Sequence, residues 1–126
     1  MSFQSDLGRV KGLGSSKSGT SHWWAQRVSA LALIPLTLWF IYSAIKFIGM
    51  DLFAFRAWLN EPGSVLLLSL FLIALFYHMQ LGLQVVIEDY VHSEKNKIFL
   101  LLSNKFAAAL FAISSLVAII QIAYGG

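Results

Sequence analysis

Apolar residues in this chain gather into three long runs, separated by short polar stretches. Between Arg27 and Lys46 there is no Asp, Glu, Lys or Arg, and the run over about 28–48 predicts a helix. At about 1.5 Å of rise per residue, such a run with its flanks crosses a hydrocarbon core of about 30 Å. Pro35 lies inside it and predicts a mild kink, because a membrane helix tolerates proline when neighbours re-satisfy the freed carbonyl. A second span covers about 64–88, and a third about 99–124, with its start depending on how deep Lys105 sits. The stretch Asp51 to Asn60 is too short to cross a bilayer and mixes charges with Leu52, Phe55, Trp58 and Leu59. It predicts a short interfacial helix, ended by Pro62 and Gly63. Residues 1–21 carry Gly, Ser and Lys with little apolar content and form a flexible polar arm, so the expected domain is a single three-helix bundle over 22–126. The arm lacks the apolar core of a secretory signal, and a transit-peptide reading is weakened by a single Arg before Arg27.

Composition points the same way. Apolar residues make up 58% of the chain and charged ones 12%, against roughly 25% charged in soluble proteins. A small soluble globule must cover itself with polar groups, whereas a bilayer solvates an apolar surface directly. The formal net charge of +3 is spread over the ends of apolar runs, which suits lipid headgroups and argues against nucleic-acid binding. Three spans put the arm and the turn after span two on one side. That side holds Arg9, Lys11, Lys17, Arg27, Lys95, Lys97 and Lys105, against Lys46 and Arg56 opposite, so the positive-inside rule makes it the cytoplasm, or the matrix of a mitochondrion. Trp23 and Trp24 precede the first span, where aromatic rings favour the headgroup zone.

With no cysteine and three histidines, a metal here would be held by histidine or oxygen. His78 lies about 10 residues, roughly 15 Å, inside the basic end of span two. An ionisable side chain at that depth is costly, so it faces the bundle interior, either as a functional group or as a neutral histidine bonded to a neighbouring helix. His78, Gly82, Val85 and Asp89 fall on one stripe of the helix. Gly82 then leaves a recess where a planar macrocycle could approach, or simply permits close helix packing. A haem on His78 would need a second axial ligand. His22 and His92 sit at the membrane edges, so that ligand would come from another chain. Arg27 opens span one on the side nearer His78 and suits either a haem propionate or lipid phosphate. Tyr90, beside Asp89, offers a phenolic donor to a quinone carbonyl or serves as an aromatic-belt residue.

Two stretches carry a family resemblance: Ser21-His22-Trp23-Trp24-Ala25-Gln26-Arg27-Val28-Ser29-Ala30, and Tyr77-His78-Met79-Gln80-Leu81-Gly82-Leu83-Gln84-Val85-Val86-Ile87-Glu88-Asp89-Tyr90. Over about residues 20 to 92 the chain resembles the smaller hydrophobic membrane-anchor subunit of succinate dehydrogenase, respiratory complex II. The second stretch, a histidine with glycine four residues on and Asp-Tyr closing the span, is the more specific.

The resemblance implies an all-α integral membrane fold packed against a companion membrane-anchor subunit. His78 would be an axial ligand of a b-type haem shared with that companion, and Gly82 would pack on the macrocycle. Arg27 would lie near the haem propionates or the quinone, Tyr90 would donate to ubiquinone, and Asp89 would order that site. FAD and iron–sulfur clusters would belong to two soluble partners, the flavoprotein and the iron–sulfur protein of the complex, docked on the basic side. The chain itself would have no independent activity and would serve electron transport between the tricarboxylic acid cycle and the respiratory chain. The resemblance fits a multi-pass protein of the bacterial inner membrane, or of the mitochondrial inner membrane. The competing expectations are a fumarate reductase anchor, a cofactor-free helix bundle, and a small transporter component. A transporter would usually place a charge in mid-span, which this chain lacks if Lys105 snorkels from near a helix end.

Overall fold

A computed structural model describes residues 5–10 and 17–125; the rest of the predicted arm lies outside the described residues. The helices are α1 (Asp6–Val10), α2 (Lys17–Phe47), α3 (Leu52–Leu59), α4 (Pro62–Tyr90) and α5 (Glu94–Tyr124), with no strand among the described residues. Three of them, α2, α4 and α5, are long and apolar enough to cross a membrane, which matches the three predicted spans. In α2 the helix continues through Pro35.

The element ends differ from expectation in instructive ways. Helix α2 begins at Lys17, before the predicted end of the arm, because adding residues to an existing helix costs far less than nucleating one. Pro62 starts α4 at its first turn rather than merely stopping α3, since the N–H that proline lacks would have no partner there anyway. Helix α5 runs unbroken from Glu94, so Lys105 sits about 16 Å inside its N-terminal end.

Short α3 forms where the sequence supplies a cap: the Asp51 carboxylate accepts from the Ala54 N–H at 2.7 Å. Gly49, with φ of +85°, makes the turn that feeds it, a conformation L residues rarely adopt. At this end Trp39 stacks on Trp58 at 6.0 Å, and Phe47 meets Trp58 edge-on at 4.6 Å, tying α2 to α3. Leu59 of α3 is 1% exposed and packs with Ile119 and Ala123 of α5.

Helix α4 is the middle of the molecule, packed along α2 on one side and α5 on the other, while α2 and α5 barely meet among the described residues. Phe40 stacks on Phe71 at 4.7 Å across the first contact, and Phe76 stacks on Phe111 at 6.3 Å across the second. The buried serines Ser43 and Ser64 are small enough to let helices approach. The layer is therefore flat, with broad apolar faces such as Leu31, Ile34 and Leu38 left exposed. In water such faces would aggregate; in a bilayer lipid or a partner helix covers them at little cost.

Candidate functional site

Two polar seams run along α4, one on the α2 side and one on the α5 side. On α2, His22, Gln26 and Ser29 recur at i, i+4 and i+7 and so share one face. They meet the α4 stretch that carries His78, Leu81 and Gly82. His22 Nε2 donates to the Leu81 carbonyl at 3.2 Å, and Ser29 Oγ lies 3.0 Å from His78 Nδ1. The Ser29 hydroxyl also donates to the Gln26 carbonyl, at 3.1 Å. Gln26 Oε1 is buried without a hydrogen-bond partner among the described residues. Such an orphan acceptor costs about 1–3 kcal/mol unless something outside the chain supplies a donor.

His78 is half-buried, about 18 Å along α4 from Tyr90 and about 24 Å from Pro62, which is mid-span. Its Nε2 has no hydrogen-bond partner among the described residues. The side chain lines a groove of about 340 Å³ whose other walls are Ala30, Leu33, Ile34, Thr37 and Leu38 of α2. The groove is open and mostly apolar, with Thr37 the one polar residue of its α2 wall. Among the described residues no three His, Cys, Asp or Glu side chains gather.

Gly82 faces α2. A Cβ built on it would meet Gln26 Nε2 at 3.8 Å, an ordinary contact, so the packing of α2 on α4 does not by itself require glycine. Arg27 precedes Ala30 and Ile34 by three and seven residues and so shares their face of α2 toward the basic side, though it does not itself line the His78 groove. Its guanidinium lies 5.0 Å from the Trp23 ring, and it makes no ion pair with a described carboxylate. Asp89 and Tyr90 are the last two residues of α4, and both are exposed. Tyr90 is 77% exposed, and its hydroxyl makes no hydrogen bond to a described residue. The structure thus brings His78 and Gly82 together on the α2 seam, sets Arg27 against Trp23 on the exposed face of α2, and leaves Asp89 and Tyr90 at the basic end of the bundle.

On the other side of α4, Gln80 donates to Gln84 at 3.3 Å and Gln84 to Glu88 at 3.0 Å, an i, i+4 ladder rising to the basic end. Asn104 of α5 donates to the Gln80 carbonyl at 2.9 Å. Lys105 is level with this bond and lines a groove of about 250 Å³ with Tyr77, Gln80 and Ala108. A wider groove of about 560 Å³, walled by Trp24, Val28, Leu36 and Tyr77, lies between α2 and α4.

Reading the residues singly passes over Ser29, Gln26 and the true place of His22. His22 reaches a carbonyl about 13 Å inside the end of α4, not merely the membrane edge. The available signal was the polar i, i+4, i+7 stripe entering an otherwise apolar helix, the complement of the His78–Gly82 stripe.

Residues 1–120 match the family of succinate dehydrogenase/fumarate reductase transmembrane subunits. Among curated relatives, the succinate dehydrogenase hydrophobic membrane anchor subunit of Rickettsia bellii is 34% identical over 117 residues, covering 93% of this chain and 94% of its own. The corresponding subunit of Paracoccus denitrificans is 34% identical over 103 residues, covering 82% and 80%. The succinate dehydrogenase membrane anchor subunit of Reclinomonas americana is 35% identical over 89 residues, covering 66% and 72%. No solved structure gives a significant match.

Proposed function

Starting from the fact that this chain belongs to the family of succinate dehydrogenase/fumarate reductase transmembrane subunits, and is a membrane anchor subunit of succinate dehydrogenase, we propose that it binds one face of a b-type haem and helps form a ubiquinone site. The observation that carries the proposal is the His78 ring, held mid-span by Ser29, with Nε2 unpartnered among the described residues and a mostly apolar groove beside it.

These residues fit the group. A macrocycle needs an imidazole nitrogen with a free lone pair, an apolar wall and cations for its propionates, and His78, the Ala30–Leu38 wall and Arg27 supply these. Bound there, haem b supplies a one-electron redox centre. His78 would hold the iron through Nε2, and a histidine of the companion membrane-anchor subunit would supply the second protein ligand. Gly82 keeps the α4 face next to His78 low, with the Gln26 side chain of α2 beside it.

At the basic end Tyr90 donates a hydrogen bond to a quinone carbonyl, and Asp89 orders the groups around it. Both stand at the aqueous rim, where the two protons that quinone takes up on reduction are available. Succinate oxidation, with FAD and iron–sulfur clusters, belongs to the flavoprotein and iron–sulfur subunits on the same side. The three spanning helices and the likeness to membrane anchor subunits of Rickettsia and Paracoccus support a location in the bacterial inner membrane. A reduced-minus-oxidised optical spectrum of the purified complex tests the haem assignment. A b-type signal lost or shifted in His78→Ala supports it, and an identical signal in the variant removes His78 as a ligand.

A further inference from the structure

The hydroxyl of Ser29 has one proton and two neighbours, the Gln26 carbonyl at 3.1 Å and His78 Nδ1 at 3.0 Å. A carbonyl only accepts. Both contacts become hydrogen bonds in one arrangement alone: Ser29 donates to Gln26, and His78 donates from Nδ1–H into the free lone pair of Ser29 Oγ. If the hydroxyl turned to Nδ1 instead, the Gln26 contact would lose its proton, and an Nε2–H would face a mostly apolar groove in which no described residue, the lining Thr37 included, is hydrogen-bonded to Nε2.

A serine in a membrane helix often bonds back to a carbonyl one turn earlier, so that bond alone signifies little. What distinguishes Ser29 is that its acceptor side is taken by an imidazole from another helix. The residue is also 6% exposed, in a segment where water does not compete for the bond.

From this geometry we infer that Ser29 is a positioning residue for His78: it fixes the Nδ1–H tautomer, aims the ring, and leaves Nε2 as the only nitrogen able to bind iron. The inference rests on the haem reading of His78. Its chemical consequence follows from the bond's direction. A hydrogen bond accepted from Nδ1–H raises the electron density on Nε2, strengthens its donation to iron, and favours the ferric state. Removing it raises the haem midpoint potential and weakens haem retention, by about 10- to 100-fold where such outer partners have been removed from other metal sites. Gln26 enters through its backbone carbonyl alone, so changes to its side chain leave this relay in place.

The test is a series of assembled complexes carrying Ser29→Thr, Ser29→Cys and Ser29→Ala, with His78→Ala alongside. The readouts are haem midpoint potential by optical titration and the rate of haem loss to an apo-globin acceptor. The expected order is wild type and threonine together, cysteine displaced upward because a thiol is a weak acceptor, and alanine furthest, with haem loss accelerating in the same order. Cysteine keeps the size of the side chain, so the trend stays readable if alanine impairs assembly. A flat series, with His78→Ala still abolishing the b-type signal, would overturn the role of Ser29 and leave it a packing residue. A b-type signal unchanged in His78→Ala would overturn the haem reading itself, and the inference with it.

Discussion

Replacing Tyr90 by phenylalanine isolates one hydroxyl at the proposed quinone site. Tyr90 is the last residue of α4, 77% exposed, and its hydroxyl bonds to no described residue. Among the described residues the substitution therefore breaks no hydrogen bond, and its effect is read at the quinone site. A hydrogen bond to a neutral quinone carbonyl contributes about 0.5–1.5 kcal/mol, and one to the negative oxygen that develops on reduction about 1.5–3 kcal/mol. The difference between the two, about 1–2 kcal/mol, is what lowers the barrier, and at 1.4 kcal/mol per decade it is worth roughly 5- to 30-fold in quinone reduction rate. The assay compares succinate oxidation coupled to ubiquinone with succinate oxidation coupled to a soluble artificial acceptor, on the same preparation. Tyr90→Phe should slow the first by that factor and leave the second and the haem content near wild type. Equal rates with ubiquinone would refute the hydrogen bond, and a parallel fall in both assays would show damage to assembly rather than to the quinone site.

Two further substitutions probe the bundle and its basic side. Phe71 is 7% exposed and stacked on Phe40 at 4.7 Å, so Phe71→Ala opens a void between α2 and α4. Lipid is itself apolar, so the transfer cost is small and the cavity cost remains. At about 24 cal/mol per Å³, a lost volume on the order of 100 Å³ costs on the order of 2 kcal/mol, readable as a lower melting temperature of the detergent-solubilised complex. Arg27→Gln removes a cation that has no carboxylate partner among the described residues. The haem-to-protein ratio should fall several-fold while the remaining haem keeps a b-type spectrum, and an unchanged ratio would make Arg27 a lipid anchor only.

The spans were legible because lipid imposes a simple rule: a segment without charges and long enough to cross must be helical. The α3 helix was legible too, since a stretch too short to cross a bilayer mixes charges with bulky apolar residues before Pro62 and Gly63; its Asp51 cap is a finding of the structure. His78 stood out because a titratable group in hydrocarbon needs a reason. Its partner did not, because Ser29 is a common residue in membrane helices, and only the antiparallel pairing of α2 with α4 shows that it faces His78 rather than lipid. The start of α2 at Lys17 was hidden for a related reason. Local composition there reads as loop, yet a helix anchored in the membrane extends outward at small cost. The register between helices, set by stacked pairs such as Phe40 with Phe71 and Phe76 with Phe111, lies in tertiary packing that no single-helix periodicity encodes.

An experimental structure of the assembled, oxidised complex tests the central claim most directly. It should show iron within bonding distance of His78 Nε2, a histidine of the companion anchor on the opposite face, and Nδ1 still turned to Ser29. A His78 ring contacting only acyl chains or aliphatic side chains, with no iron against it, would contradict the account and leave an anchor of three helices without a redox centre.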